Sequence, residues 1–399
     1  MKTFLTHRLT HFILLFLLLI GLVSIRIADP YFIRDLRLEA FDTYNKIKPR
    51  PAEGSVKIID IDEKSLAQVG QWPWPRTVLA ELVDKLTAAG AKVIAFDMVF
   101  AEQDRMSPEF LKEHLRVSKQ AELQSDPLDK LQDPDAIFAE AIRNSGKVVT
   151  GFVWSNQTGA LRTPFIHRTL MPFGPAGRAF AENALLIRDV TTNIPEIARA
   201  AEGNGSFSVS PEHDGIIREV PLVMRYLVPG PQGGLAFYPG LSLEALRIAK
   251  AGGASTRLLP VKEENQKVLS PDYLINVGPY YIPSSANGQF WVYYRHLDRD
   301  KDYVSAQDIL RENARATEAV RDKIVFIGTS AAGLKDIRST PLDLFVPGVE
   351  VHFNATEQIL QENYLQRPEI AEGAELVFIA LMGLILIALA PFLGAVLLT

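Results

Sequence analysis

Three aspartates follow two short apolar segments, and their positions suit the binding of a ligand. Asp60 and Asp62 lie at the end of residues 56–61 (VKIIDI), and Asp97 follows residues 92–96 (KVIAF). Such β-branched runs predict buried parallel strands, whose carboxyl ends share the edge of the sheet where ligands usually bind. Three carboxylates there could hold Ca²⁺ or Mg²⁺ through oxygen ligands. In the alternative interpretation, Asp62 caps a helix and the other two carboxylates accept hydrogen bonds from backbone N–H groups.

A second candidate site is the segment 70–76 (GQWPWPR), in which two tryptophans alternate with prolines. Proline fixes an extended backbone, so Trp72 and Trp74 would project from it at low entropic cost, with Arg76 at the start of the next helix. If the segment is exposed, it is an aromatic platform for a ligand or partner. If it is buried, it is a rigid brace that holds the loop over the sheet.

Residues 214–218 combine a turn signal with opposite charges. Asp214 and Gly215 form an Asp-Gly pair typical of hairpin turns, here between residues 207–210 and a predicted strand 216–228. Asp214 and Arg218 suit either a local ion pair across this turn or a ligand-binding position.

Composition excludes several classes of function. Lys and Arg total 42 against 47 Asp and Glu, a net charge of −5, so the chain has no basic excess with which to bind nucleic acid. Cysteine is absent, which excludes disulfides, thiolate metal sites and cysteine nucleophiles. The nucleotide-binding, zinc-protease and serine-hydrolase motifs are also missing from the sequence, so we expect no catalytic activity and no cofactor beyond a possible Ca²⁺ or Mg²⁺.

Alternating strand and helix patterns predict a mixed α/β fold, a largely parallel sheet flanked by helices. A charged stretch at 101–135 is expected to be an insertion in this unit. The predicted helices are 33–47, 63–68, 76–89, 136–144, 241–251 and 351–364, and the predicted strands are 56–61, 92–96, 147–154, 216–228, 273–277, 290–294 and 323–327.

Two apolar runs are long enough to span a membrane. Residues 9–27 are charged only near their ends, and 376–398 carry no charge; about 20 apolar residues span a bilayer. A cleaved signal peptide is the alternative for the first run, although a cleavage pattern of small residues is missing. We expect residues 1–8 in the cytoplasm, 28–373 outside it, and a cytoplasmic output region that this sequence does not contain.

Several motifs together resemble a known family. They are Phe41-Asp42, VKIIDIDEKSL at 56–66, GQWPWPR at 70–76, GAKVIAFDMVF at 90–100, DGIIREVPL at 214–222, KIVFIGTSA at 323–331, Asp336, and PGVEVH at 347–352. In this order they resemble the second class of CHASE domain, the cyclase- and histidine-kinase-associated sensory extracellular domain. The match extends over about 310 residues, and it adds Asp336 to the candidate ligand-binding residues.

The resemblance implies a receptor of the bacterial inner membrane with a periplasmic or extracellular sensor domain. An N-terminal anchor, several C-terminal spans and a cytoplasmic output domain are typical of such proteins. That output is commonly a nucleotide cyclase, a histidine kinase or a Ser/Thr kinase. The sensor would recognise an unidentified extracytoplasmic ligand or protein. Two other functions stay open: a metal-dependent extracytoplasmic hydrolase that uses the three aspartates, and a structural scaffold of a membrane complex.

The predicted helix 33–47 directly follows the first apolar run and carries a seven-residue apolar spacing. The resemblance implies paired chains, because cyclases and histidine kinases work as dimers, and this spacing suits a parallel two-helix seam. The seam residues would be Ile33, Leu36, Ala40, Tyr44 and Ile47. In the alternative interpretation the same stripe packs against its own domain.

Overall fold

The structure is a computed structural model, and it describes residues 2–117, 130–155, 164–165, 174–228, 234–252, 256–260, 273–334, 336–365 and 370–393. Two predicted segments lie partly outside these ranges: the polar insertion at 101–135 and the apolar run at 376–398. The described residues divide into two units. One contains residues 1–47 and 366–399, and the other contains residues 48–262 and 271–365.

The helices and strands alternate along most of the chain. The helices are α1 Lys2–Ala28, α2 Tyr31–Ile47, α3 Glu63–Val69, α4 Arg76–Ala88, α5 Pro108–Val117, α6 Pro134–Ser145, α7 Gly174–Asn183, α8 Pro195–Ala200, α9 Leu241–Ala251, α10 Arg299–Asp302, α11 Ala306–Leu310, α12 Ala314–Val320, α13 Val349–Leu360 and α14 Ile370–Leu393. The strands are β1 Val56–Ile61, β2 Val93–Phe96, β3 Val148–Ser155, β4 Leu186–Ile187, β5 Asp189–Thr191, β6 Gly203–Ser206, β7 Glu219–Pro221, β8 Val223–Leu227, β9 Leu235–Pro239, β10 Arg257–Pro260, β11 Tyr273–Val277, β12 Tyr280–Ser284, β13 Gln289–Trp291, β14 Tyr303–Ser305, β15 Ile324–Thr329, β16 Ile337–Arg338 and β17 Val346–Pro347.

The larger unit is built on a central, mostly parallel sheet in the order β14–β1–β15–β2–β3. β6 continues the sheet parallel to the first half of β3, and β5 pairs antiparallel with its second half. The predicted fold class, a mixed and largely parallel sheet flanked by helices, is confirmed. β15 lies between β1 and β2, although it is the last of these strands in sequence.

Helices cover both faces of the central sheet because successive side chains of a strand point to opposite faces. On one face, Ile59 and Ile61 of β1 join a core formed with α4, α6, α8 and α11. On the other face, Val56 and Ile58 join a core formed with α9 and α13. Gly328 of β15 permits the close approach of α13, since a Cβ there would lie 2.5 Å from the Cβ of Val349.

The predicted hairpin between residues 207–210 and a long strand 216–228 is wrong. Residues 207–210 form no strand, and the second segment divides into β7, which pairs with β13, and β8, which pairs with β4 and β9. Pro221 at the end of β7 cannot donate a ladder hydrogen bond, and the chain bends at Leu222 before β8 begins. β10, β11 and β12 form a further small antiparallel sheet, and β16 pairs with β17.

The smaller unit contains α1, α2 and α14. Arg26 of α1 donates two hydrogen bonds to Glu375 of α14, at 2.7 and 3.0 Å. Leu19 of α1 packs closely on Gly383 of α14, since a Cβ added to this glycine would lie only 2.3 Å from Leu19 Cδ1. Among the described residues, no single helix is both long enough and apolar enough to count as a membrane span. The pair Phe12–Ala28 and Tyr31–Ile47, bent by 69°, meets the same test together, and Gly373–Leu389 is a shorter apolar helix.

Candidate ligand-binding site

A polar cleft of about 720 Å³ opens at the carboxyl edge of the central sheet, where β14, β1 and β15 end. β1 continues into α3 on one face of the sheet, whereas the chain after β15 leads to α13 on the other face. Neighbouring strands whose connections leave toward opposite faces open a crevice between them, and ligands of α/β proteins bind in such crevices. The cleft therefore lies where this topology favours a ligand.

Asp60 lies at the base of the cleft and is held by its neighbours. Its Oδ1 accepts a hydrogen bond from the backbone N–H of Ser330 at 2.9 Å, and its Oδ2 accepts one from the Ser330 hydroxyl at 2.6 Å. The Arg299 guanidinium lies 3.3 Å from the same Oδ2. Burial is the main cause that raises the pKa of Asp60 above its ordinary value, and the Ser330 and Arg299 contacts oppose this rise.

Asp62 has a different environment at the same edge. Its Oδ1 accepts hydrogen bonds from the Ser65 backbone N–H at 2.7 Å and from the Ser305 hydroxyl at 3.0 Å, so it caps α3 and joins β1 to β14. Among the residues that the structure describes, none donates a hydrogen bond to Oδ2 of this half-buried carboxylate. Asp62 can therefore accept a further hydrogen bond from a molecule in the cleft.

Charged side chains of both signs line the cleft. Arg299 stacks over the Tyr303 ring at 4.1 Å and is 58% exposed, and Arg315 is exposed on α12. The charged lining comprises five carboxylates and four cations, namely Asp60, Asp62, Glu63, Asp300 and Asp308 with Lys64, Arg299, Lys301 and Arg315. The aliphatic lining is limited to Val304, Ala316 and Ala319. This lining is suited to a polar ligand.

Asp97 does not line this cleft. It directly follows β2, which β15 separates from β1, so two strand spacings of about 4.8 Å each lie between the two strand ends. The structure thus brings together Asp60 and Asp62 and places the third predicted metal ligand elsewhere. The described residues contain no cluster of three or more His, Asp or Glu side chains with metal-binding geometry. The Ca²⁺ or Mg²⁺ hypothesis stays a prediction, with Asp60 and Asp62 as its remaining carboxylates.

Asp97 is instead buried beside His352, with its Oδ1 3.8 Å from His352 Nε2, and near the half-buried Asp336. Burial, and secondarily the charge of Asp336, raise the pKa of Asp97 well above its ordinary value. Arg338 lies 3.0 Å from Asp336, and the Asp336 carboxylate fills the space where a side chain at Gly348 would begin. His352 Nε2 lies 3.0 Å from the Phe207 carbonyl, and burial lowers the pKa of His352 to about 4, so its ring is neutral near pH 7.

Trp74 and Arg76 of the Trp-Pro segment are buried, whereas both of its prolines are exposed. Trp74 is 1% exposed, and its indole N–H donates to the Gly70 carbonyl at 2.9 Å. Trp72 is half-buried and meets Trp74 edge-to-face at 5.7 Å. The Arg76 guanidinium lies 4.5 Å from the centre of the Phe100 ring. Neither tryptophan lines the cleft, and the brace interpretation stays a prediction.

Asp214 and Arg218 form a local pair. Arg218 is 1% exposed and donates two hydrogen bonds to Asp214, at 2.7 and 3.1 Å. The pair closes the turn before β7 and does not line the cleft.

The sequence contained a signal for only some of the site residues that the prediction missed. Ser330 lies in the segment KIVFIGTSA and follows a predicted strand, so its position at the sheet edge was accessible to the same argument as Asp60. Arg299 and Ser305 lie in a polar stretch without periodicity, and the topology alone brings them to the cleft. The same holds for a buried set of four charged residues beside α10, namely Arg50, Arg295, Asp302 and Glu357.

A family model described as the CHASE2 domain matches residues 13–388. No curated protein and no solved structure shows a significant match.

Proposed function

Because this chain belongs to the CHASE2 family of sensory extracellular domains, we propose that it is the extracytoplasmic sensor of a bacterial membrane receptor. In this proposal the α/β domain lies on the periplasmic or extracellular side of the inner membrane, and α1 and α14 lie within the membrane. These helices transmit the signal to a cytoplasmic output domain, such as a nucleotide cyclase or a kinase. The uncharged sequences at 12–25 and 376–398 support this placement.

The observation that carries the proposal is the polar cleft at the sheet edge. A cleft of about 720 Å³ is within the usual range for small-molecule sites. Its base holds Asp62 with a carboxylate oxygen open to a hydrogen-bond donor, and its rim holds Arg299 and Arg315. We therefore assign the cleft as the position of the sensed ligand.

The lining also defines the chemistry of this ligand. The open oxygen of Asp62 favours a hydrogen-bond donor, such as a hydroxyl or an ammonium group, and Arg299 and Arg315 favour an anionic group. Most of the lining residues carry a charge or a hydroxyl group. Small molecules with both features include amino acids and hydroxy acids.

Thermal unfolding of the full chain in detergent tests this assignment. The probes are free amino acids, small hydroxy acids, neutral sugars, inorganic phosphate, Ca²⁺ and Mg²⁺, each at millimolar concentration. We expect an amino acid or hydroxy acid to raise the Tm by mass action, because a ligand that binds the folded state stabilises it. Asp62→Asn and Arg299→Ala should each abolish the rise, whereas Arg116→Ala, far along the chain on the exposed α5, should retain it.

The same Tm measurements distinguish the proposed ligand site from a metal site and from a scaffold. A rise in Tm with Ca²⁺ or Mg²⁺ alone that Asp62→Asn abolishes would support the metal hypothesis in place of the proposed ligand. A chain whose Tm responds to none of the probes would contradict the ligand assignment and favour a scaffold.

We also propose that two chains pair in parallel along α2. Leu36 is 59% exposed, Tyr44 45% and Ile47 79%, while Ala40 is exposed and Ile33 half-buried. A stripe of exposed side chains at seven-residue spacing suits a seam with a second copy of the helix. Such a seam would place the two first membrane helices of a dimer side by side.

A further inference from the structure

We propose that a buried network of four charged side chains couples the cleft to the two chain segments that lead out of the α/β domain. The Arg50 network, as it is called below, consists of Arg50, Arg295, Asp302 and Glu357. None of these side chains is more than 5% exposed. With two cations and two anions, the network is balanced in charge.

Glu357 of α13 is the centre of the Arg50 network. Its Oε2 lies 2.8 Å from Arg50 Nη2 and 2.6 Å from Arg295 Nε, and its Oε1 accepts a further hydrogen bond from Arg295 Nη2 at 2.9 Å. Arg295 also forms a bidentate pair with Asp302, with both distances 2.8 Å. Its guanidinium lies 5.0 Å from the centre of the Phe353 ring, also on α13. These contacts fix the guanidinium of Arg295 between α10 and α13.

At one end, the Arg50 network is attached to the wall of the cleft. Asp302 is the last residue of α10, whose Arg299 and Lys301 line the cleft. The next residue, Tyr303, donates a hydrogen bond from its hydroxyl to Glu350 of α13. Glu350 and Glu357 are seven residues apart and therefore lie on the same side of α13, two turns from each other. The cleft wall is thus joined to α13 at two points.

At the other end, the network holds the N-terminal linker, residues 48–54, which follows α2 in sequence. The backbone N–H groups of Glu53 and Gly54 donate to Glu357 Oε1 at 3.2 and 3.1 Å. Arg50 donates to Gln361 Oε1 at 2.8 Å, and Gln361 Nε2 donates back to the Pro51 carbonyl at 2.9 Å. Gln361 immediately follows α13 on the way to α14.

The burial of these charges explains why they would move together. Separation of any pair would leave an uncompensated charge in the interior, which costs far more than a small displacement of the whole set. A shift of α10 is therefore passed to α13 and the linker rather than absorbed between them. This inference rests on the proposed function only in taking the cleft as the ligand site.

Hydrogen exchange on the full chain in detergent, without any ligand, tests the coupling. Asp302→Asn weakens the ion pair with Arg295. None of the contacts described above joins Asp302 to the linker itself, so the substitution does not act on the linker directly. We expect about tenfold faster exchange both in residues 295–303 and in residues 48–54, since a coupled segment opens when the network loosens. The matched control is Glu244→Gln, which weakens a buried Glu–Arg pair with Arg247 on α9 and should leave the linker unchanged.

A second variant covers the case in which Asp302→Asn fails to fold. Gln361→Ala removes the half-buried partner at the linker end, and it should speed exchange in residues 298–303 as well as in 48–54. Faster exchange confined to 295–303 in Asp302→Asn, or to 48–54 in Gln361→Ala, would overturn the coupling. Because no ligand is used, failure of the ligand assignment leaves this result unaffected.

Discussion

Asp60 and Asp62 lie two residues apart and differ in what they can bind. Both oxygens of Asp60 are engaged, one by the Ser330 backbone and the other by the Ser330 hydroxyl and Arg299. Asp62 uses one oxygen to cap α3 and to accept from Ser305, so the other oxygen can receive a ligand. At this scale Asp60 organises the sheet edge, and Asp62 is the residue we expect to contact the ligand.

Replacement of Trp74 by alanine tests the brace. Trp74 lies in the core beside α4, so its removal leaves a large cavity, and we expect a loss of about 3–5 kcal/mol in the free energy of unfolding. Trp72→Ala, at the half-buried neighbour, should cost clearly less. Thermal and denaturant unfolding of both variants measure this difference. Equal stability of the two would contradict a buried brace.

Glu219 provides a pH-dependent prediction. Burial, with the charge of Glu212 as a second cause, raises its pKa to about 7 from an ordinary 4.5. Between these two values the folded state holds a proton that the unfolded state has lost, so stability falls as pH rises and is lowest above about pH 7. Glu219→Gln removes this titration. As the pH rises from 4.5 to 8, the free energy of unfolding of the variant should increase by on the order of 3 kcal/mol relative to that of the wild type.

Thermal unfolding across that pH range measures the effect. Glu212→Gln is the control, and it should recover a smaller part of the loss because it removes only the second cause. A difference between wild type and Glu219→Gln that does not change with pH would contradict the prediction.

At the scale of elements, α13 is the helix that connects the site with the chain termini of the domain. Its first turn packs against Gly328, Glu350 accepts from Tyr303, and Glu357 binds Arg50 and Arg295. The sequence located this helix through its apolar spacing, with bounds within four residues of those observed. Its role could not be predicted from the sequence, because Arg50 and Glu357 lie 307 positions apart and charged residues are ordinarily solvated.

Disulfide trapping tests the pairing of α2, and the absence of native cysteine makes single substitutions clean. Cysteine at Ile33, Leu36 or Ala40 should cross-link two chains in the membrane, because these positions lie along the proposed seam. Cysteine at Arg37 or at the buried Asp42 should not. Uniform cross-linking around the helix, or a monomer by light scattering in detergent, would contradict the paired arrangement.

At the scale of the whole molecule, the sequence predicted the fold class but not the order of the strands. Three elements have the predicted bounds, namely the strands β1 and β11 and the helix α9, because their hydrophobic patterns are local. The insertion of β15 between β1 and β2 depends on contacts more than 200 residues apart, and no local pattern records them. This order is also why Asp97 lies away from Asp60, although both end predicted strands.

The central claim is that the α/β domain lies outside the cytoplasm, and single-cysteine labelling in spheroplasts tests it most directly. Arg315→Cys places a thiol at the exposed rim of the cleft, and Thr3→Cys places one in the segment expected in the cytoplasm. With a membrane-impermeant maleimide, we predict that Arg315→Cys is labelled in intact spheroplasts and that Thr3→Cys is labelled only after lysis. Protection of Arg315→Cys until lysis would contradict the account.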